Sequence, residues 1–208
     1  MTPYQTEQRE CLQTVREYFT RLPDDELEEL KARTADYLFF RRTVQSFLFD
    51  HFSHICDSKC YQNRLSACCS RDGIVTFFAD VAVNALISSD TELDRIMAVL
   101  QKPHEGFKCV YLGAAGEGCL WCLKPVVCEM FLCDEAKGKA FQDNPEAGKQ
   151  WDEIQKTRKR FTWPDQPVLF DELEQLFIDA GYRSPLMYLH NGPGLLRVKE
   201  RARAKAGG

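Results

Sequence analysis

The cysteines of this chain are concentrated in its middle. Nine of the ten cysteines and three of the four histidines lie between His51 and Cys133, well under half of the 208 residues. A packing role would scatter cysteines along every element, because a free cysteine is a good small core residue anywhere in a fold. Metal-thiolate chemistry instead requires cysteines grouped at short spacings. The clustering therefore predicts a metal centre around which the rest of the chain folds.

The overall composition is that of an ordinary soluble globular protein. Hydrophobic residues make up 44% and charged residues 28% of the chain, and the net charge is −4, so nucleic acid is not an expected partner. The first residues form neither a charged leader nor an apolar segment, and no run approaches the roughly 18 apolar residues that cross a membrane. We therefore expect a cytoplasmic protein with no membrane partner, in a compartment where thiols stay reduced and available to metal.

Helical patterns dominate the first hundred residues. Thr2 is placed as the cap of a first helix, which Pro23 ends. An acidic stretch then opens a second helix that continues to His51, with Thr34 and Arg41 as polar interruptions on its apolar side. The apolar segment 74–86 predicts a buried helix, and a second capping pattern at residues 89–92 predicts another.

The cysteine-rich part and the C-terminal part differ in their predicted structure. Residues 107–112 and 118–123 are predicted to be strands of one small β-hairpin, and Lys124-Pro125 opens a helix that carries both Cys128 and Cys133. Residues 134–148 are predicted to be flexible or a frayed helix, followed by two amphipathic helices and a basic tail.

The predicted fold class is therefore mainly α, with a helical scaffold around a cysteine-rich metal centre. We predict an N-terminal helical scaffold (1–50), a cysteine-cluster core (51–133) and a C-terminal helical extension with the basic tail (134–208), together forming one compact domain.

Several cysteine spacings suit metal coordination. Cys56-x3-Cys60 and Cys119-x2-Cys122 each allow two sulfurs to hold one metal from a turn. The adjacent Cys68 and Cys69 have diverging side chains, which favours more than one metal. One zinc takes four ligands, so nine sulfurs fit two zinc or iron ions, or one iron-sulfur cluster with spare thiols. Thiolate softness alone does not choose between zinc and iron.

Eight cysteines are the predicted ligands. Cys128 is favoured because it follows the start of a predicted helix, where a thiolate is stabilised. Roles for Cys133, His51, His54 and His104 stay open, and Cys11 fits a helical core pattern. The predicted metal ligands are Cys56, Cys60, Cys68, Cys69, Cys109, Cys119, Cys122 and Cys128.

The order of these motifs is similar to that of a known family. The closely spaced Cys56 and Cys60 and the adjacent Cys68 and Cys69 precede an apolar stretch that contains Asp80. Then follow Cys109-Val-Tyr-Leu, Gly118-Cys119 and Lys124-Pro-Val-Val-Cys-Glu-Met-Phe. This order, from Cys56 to Phe131, resembles the bacterial YkgJ-type cysteine cluster proteins, a zinc- or iron-chelating domain family. The resemblance implies a first ligand group of Cys56, Cys60, Cys68 and Cys69, and a second of Cys109, Cys119 and Cys128.

The chain also departs from the family pattern. Seven residues separate Cys60 from Cys68, where the family packs its first cysteines around a glycine. Lys124 stands where arginine is usual, and Cys122 and Cys133 are additional.

Three functions follow from these patterns. The first is a metal-binding protein that holds iron, an iron-sulfur cluster or zinc through clustered thiolates. The second is an iron-sulfur- or metal-dependent enzyme that modifies a protein or small molecule, with Tyr111, Trp121 and Lys124 near the substrate; the flagellin lysine N-methylases carry a similar cysteine theme. The third is a metal-stabilised module that binds a protein partner. Neither a phosphate-binding glycine loop nor a serine nucleophile motif is found.

Overall fold

The fold is mainly helical, as the sequence predicts. The computed structural model describes residues 2–56, 69–70, 75–104, 106–113, 118–162 and 168–191, together with residues 201 and 204. The helices are α1 (Pro3–Arg21), α2 (Asp24–Arg33), α3 (Ala35–Cys56), α4 (Phe78–Ile87), α5 (Asp90–Leu100), α6 (Val126–Glu129), α7 (Asp134–Asp143), α8 (Pro145–Thr162), α9 (Leu169–Asp179) and α10 (Tyr188–Asn191). Among these residues, no helix is long and apolar enough to cross a membrane.

Two helix starts follow directly from capping residues. The Thr2 hydroxyl accepts from the Gln5 N–H at 3.3 Å, and the Gln5 side chain accepts from the Thr2 N–H at 3.0 Å. The same reciprocal pair joins Ser89 and Glu92 at the start of α5. These reciprocal hydrogen bonds satisfy N–H groups that have no partner within the first turn of a helix. Both predicted helix starts are therefore confirmed.

The predicted second helix is divided at Thr34. The buried Thr34 donates from both its backbone N–H and its hydroxyl to the Lys31 carbonyl, at 3.1 and 2.8 Å, which closes α2. Helix α3 begins at the next residue and runs to Cys56. It therefore delivers the first cysteine of the central group at its own C-terminal end.

Helix α4 lies at the meeting point of two hydrophobic clusters. Ala79, Val83 and Leu86 pack into the cluster formed mainly with α3, α8 and α9, while Phe78 and Val81 pack into the cluster with α1 and α5. Because apolar residues cover both faces, almost the whole helix is buried. The two buried polar residues of α4, Asp80 and Asn84, are therefore surrounded by protein and need hydrogen-bond partners within the fold.

The predicted β-hairpin is not formed as two strands in the described part of the chain. A single antiparallel bridge pairs Leu112 with Cys119, and Leu120 donates to the Tyr111 carbonyl at 2.9 Å. In the register set by Leu112 and Cys119, the Gly113 N–H also donates to the Gly118 carbonyl at 2.8 Å. The physical reason lies in a competing partner. The Cys109 N–H, which a longer hairpin would pair with Cys122, donates instead to the Cys69 carbonyl at 2.7 Å.

The segment after the cysteines is also better ordered than the sequence predicts. Residues 134–148 form α7 and the start of α8, where the prediction was a flexible or frayed segment. Ala136, Ala140 and Ala147 are buried there against the first cluster. Cys133 is the residue before α7, so the prediction that it shares a helix with Cys128 is wrong.

Candidate functional site

One cavity gathers the thiols of the central region. Its volume is about 330 Å³. Five of the predicted ligands line it, namely Cys56, Cys69, Cys109, Cys119 and Cys128. Tyr111, Trp121, Lys124 and Glu129 share the lining, and a more apolar wall is made by Leu48, Phe49, Phe52, Phe131 and Leu132. Thiols distant in the sequence therefore face a common space.

Backbone pairing brings three of these cysteines side by side. The Cys109 N–H donates to the Cys69 carbonyl at 2.7 Å, next to an antiparallel bridge between Ser70 and Lys108. Cys119 is held by its bridge to Leu112. The Leu120 N–H donates to the Tyr111 carbonyl at 2.9 Å and the Gly113 N–H to the Gly118 carbonyl at 2.8 Å, which keeps Cys119 beside the segment that follows Cys109. The placement of these three sulfurs therefore depends on main-chain hydrogen bonds rather than on a regular sheet.

Helix α4 positions the fourth thiol through its buried polar side chains. The Asp80 carboxylate accepts from the Val126 N–H at 2.9 Å, and the Asn84 carbonyl oxygen accepts from the Leu123 N–H at 2.9 Å. These two bonds fix the segment that carries Cys128. The Cys128 thiol itself donates weakly to the Val75 carbonyl, with sulfur and oxygen 3.7 Å apart.

A buried ion pair holds the other side of that segment. The Arg41 guanidinium on α3 donates to the Glu129 carboxylate at 2.9 and 2.6 Å, and both side chains are almost fully buried. Arg41 also donates to the Tyr37 hydroxyl at 2.7 Å and to the Lys124 carbonyl. Because Glu129 directly follows Cys128, this network ties the thiol to the long helix that ends at Cys56.

The thiols are close enough to affect one another electrostatically. Burial raises the pKa of Cys109 to about 12, and ionised neighbours at Cys119, Cys69 and Cys128 would raise it further. Burial likewise raises the pKa of Cys119 and of Cys128. Backbone hydrogen bonds from Tyr111 to Cys109 and from Trp121 to Cys119 lower the pKa of these two thiols, as does the Lys124 charge for Cys119. Burial therefore disfavours the thiolate forms, and the backbone N–H groups and Lys124 offset this cost only in part. A bound cation would stabilise the thiolates further.

The donor set fits a soft metal by its chemistry. Five sulfurs line one cavity, and thiolate is the ligand that suits zinc, iron and iron-sulfur clusters. As placed, no three histidine, cysteine, aspartate or glutamate side chains in the described ranges are close enough to hold an ion together. Zinc or iron at this site would therefore be held by sulfurs of the cavity after side-chain adjustment.

Two other cysteines of the central group do not line the cavity. Cys122 is exposed and outside the cavity lining, whereas Cys133 packs against the first hydrophobic cluster. Cys60 and Cys68 lie outside the described residues. Cys11 is fully buried in the second cluster, as its helical pattern predicts.

His51, His54 and His104 do not line the cavity. His51 packs beside Phe47, with ring centroids 4.7 Å apart, and His54 is exposed on α3. The His104 ring nitrogen Nε2 is 2.7 Å from the Lys108 carbonyl oxygen. These positions give the three imidazoles surface or packing roles within the described structure.

Arg41 and Asn84 are important supports that sequence reasoning did not assign to the site. A signal was available, because each is polar within an otherwise apolar helical pattern, and buried polar groups need specific partners. The sequence does not say which partners these are, since Arg41 and Glu129 are 88 positions apart.

Asp80 gives a pH-dependent prediction for the metal-free protein. Burial raises its pKa to about 6, although N–H donors and Arg41 act to lower it. Because the folded-state pKa lies above the ordinary 3.8, the stabilisation is fully present below pH 3.8 and is lost as pH rises through 6. Between pH 4 and 7, the wild type should therefore lose about 2 kcal/mol of unfolding free energy relative to Asp80→Asn, because part of the stabilisation is already lost at pH 4.

Urea unfolding of both proteins at the two pH values measures this difference. The Asp80→Asn protein is the matched control, because every other titrating group is common to both. A difference in unfolding free energy that is equal at pH 4 and pH 7 would show that the buried carboxyl is not the cause.

Comparison of the chain with protein-family models, with curated proteins and with solved structures finds no match.

Proposed function

We propose that the chain is a metal-binding protein in which Cys69, Cys109, Cys119 and Cys128 hold zinc, iron or an iron-sulfur cluster. The observation that carries this proposal is their common cavity, in which each of the four lies near enough to another to influence its ionisation. Four thiolates complete the coordination of one zinc ion or one cluster. Cys56 lines the same cavity and would be a fifth donor.

The resemblance to YkgJ-type cysteine cluster proteins supports the same ligands. Cys109, Cys119 and Cys128 occupy its second ligand group, and Cys56 and Cys69 belong to its first. The described cavity and the sequence pattern therefore select overlapping sets by independent routes. Bound metal would be held as thiolates, and the Tyr111 and Trp121 amides that donate to Cys109 and Cys119 would stabilise that charge.

Cysteine substitutions test this proposal with internal controls. Serine at Cys109, Cys119 or Cys128 should remove most of the bound zinc or iron, because an alcohol is a poor ligand for these metals beside thiolates. The matched controls are Cys122→Ser, outside the cavity, and Cys133→Ser, within a hydrophobic cluster. Both should keep the wild-type metal content.

Elemental analysis of the purified variants provides the measurement, with circular dichroism to check that each is folded. Folded Cys109→Ser, Cys119→Ser and Cys128→Ser proteins with full metal content would exclude this ligand set. Equal metal loss in Cys122→Ser and Cys119→Ser would instead indicate that Cys119 and Cys122 bind one metal together, as their spacing predicts.

A metal-dependent enzyme is the second candidate. The observation that favours it is the apolar wall of the cavity. This wall includes Phe49 and Phe131, which are 72% and 52% exposed to solvent. The volume of about 330 Å³ lies in the range of small-molecule sites. A structural metal site needs no such wall. Phe49→Ser should weaken substrate use by an enzyme of this kind while leaving the metal content unchanged, and Phe39→Ser, an exposed position on the same helix but outside the lining, serves as control.

A further inference from the structure

Lys124 is held at its backbone and faces the thiol cavity. Its carbonyl accepts from the Arg41 guanidinium, and two residues later the Val126 N–H is bound by Asp80. Pro125 follows it directly, which restricts the chain further. Lys124 lines the cavity together with the cysteines, and its positive charge acts to lower the pKa of the Cys119 thiol. The base of this lysine is therefore fixed, and its long side chain can place the ammonium near the sulfurs.

The other charges beside the cavity already have partners. The Glu129 carboxylate is paired with Arg41 at 2.6 Å. Asp80 is bound by two N–H groups and also interacts with Arg41. Within the described residues, Lys124 contributes the single cationic side chain of the lining and has no carboxylate within 4.0 Å. Its charge is thus the one directed to the cavity that no carboxylate of the described chain neutralises.

A thiolate centre needs positive charge. Four thiolates around one divalent ion carry a net charge of about −2, and a four-cysteine cluster is similarly negative. Partial burial makes that charge costly unless a counter-charge lies near it. Neutral thiols in the metal-free cavity place no such demand on the protein. The need for a cation beside the sulfurs therefore arises when metal binds.

We propose that the Lys124 ammonium is the built-in counter-charge of the thiolate centre, a positioning residue that raises its metal affinity without acting as a ligand. This inference rests on the proposed function. It assigns to Lys124 an electrostatic role, so that a guanidinium at the same position should serve as well. It also predicts that the effect is specific to the cavity and is not shared by a lysine that merely neighbours a cysteine in sequence.

Titration of the reduced, metal-free full-length protein with Co²⁺ tests the proposal, because thiolate-bound Co²⁺ gives a visible absorption band. Lys124→Met keeps most of the side-chain length and removes the charge, so the Co²⁺ affinity should fall about tenfold. Lys124→Arg should remain within about twofold of the wild type. Lys108→Met is the matched control, since Lys108 precedes Cys109 but does not line the cavity, and its affinity should be unchanged.

The outcomes separate this inference from the proposed function. Wild-type protein that binds no Co²⁺ would overturn both. Wild-type binding with an equal affinity in Lys124→Met would leave the metal site standing and overturn the counter-charge. Equal weakening in Lys124→Met and Lys124→Arg would also overturn it, because shape rather than charge would then be responsible. Thermal unfolding of the metal-free variants should be the same as that of the wild type, since Lys124 is exposed.

Discussion

Arg41→Met is expected to lower the free energy of unfolding by about 3–5 kcal/mol. The substitution leaves the buried Glu129 carboxylate without its cation, and it also removes the donor to the Tyr37 hydroxyl and to the Lys124 carbonyl. An uncompensated buried charge is one of the most destabilising changes in a protein interior. Glu129→Met should be costly for the converse reason.

The double substitution Arg41→Met with Glu129→Met distinguishes charge pairing from simple packing. With both charges removed, the loss should be clearly smaller than the sum of the two single losses. Urea unfolding of the four metal-free proteins measures this coupling. The exposed pair Arg33 and Glu29, 2.8 Å apart on one helix, provides the control and should show little coupling. Additive losses at Arg41 and Glu129 would contradict the ion-pair account.

Metal binding is expected to depend steeply on pH. Burial holds the pKa of Cys109 at about 12 and raises the pKa of Cys119 and of Cys128. These thiols are therefore protonated at pH 7 in the metal-free protein, and a bound ion must displace their protons. Three displaced protons correspond to an apparent affinity that rises about a thousandfold from pH 6 to pH 7.

Calorimetric titration with Zn²⁺ in two buffers of different ionisation enthalpy counts the released protons. We expect about three or more protons per ion for the wild type and the same number for Cys122→Ser, whose thiol lies outside the cavity. Release of fewer than one proton per ion would mean that buried thiols are not the ligands. Binding carried by carboxylates would give that result near pH 7, because carboxyl groups are already ionised there.

Local signals were sufficient for much of the helical fold. The starts of α1 and α5 depend on capping residues within three positions of one another, so Thr2 and Ser89 could be assigned from the sequence. The division between α2 and α3 at Thr34 was harder to predict from the sequence. Threonine is compatible with a helix interior, and its hydroxyl bond to the Lys31 carbonyl is one of several local arrangements open to it.

A long-range partner explains why the predicted hairpin is limited to a single bridge in the described residues. The Cys109 N–H, which a longer hairpin would pair with Cys122, donates to the Cys69 carbonyl 40 positions earlier. No periodicity within residues 107–123 reveals that competition. The alternating pattern was therefore compatible with strands, while tertiary contacts selected turns and a single bridge.

The cysteine clustering predicts a metal site, but it does not predict which of the sulfurs line one cavity. Short spacings favour Cys119 and Cys122 as one pincer, yet only Cys119 lines the cavity among this pair. Cys69 and Cys109 are brought together by a main-chain hydrogen bond across 40 positions. Spacing describes which sulfurs are near in the chain, whereas the cavity is built from segments that meet only in the folded protein.

The most direct test of the central claim is the metal and acid-labile sulfide content, with an absorption spectrum, of full-length protein purified without oxygen. We predict at least about one zinc or iron ion per chain, with a broad visible band if iron and sulfide are both present. Folded protein that lacks both metals, takes up neither when they are supplied, and shows all ten cysteines as free thiols would contradict the proposed thiolate centre.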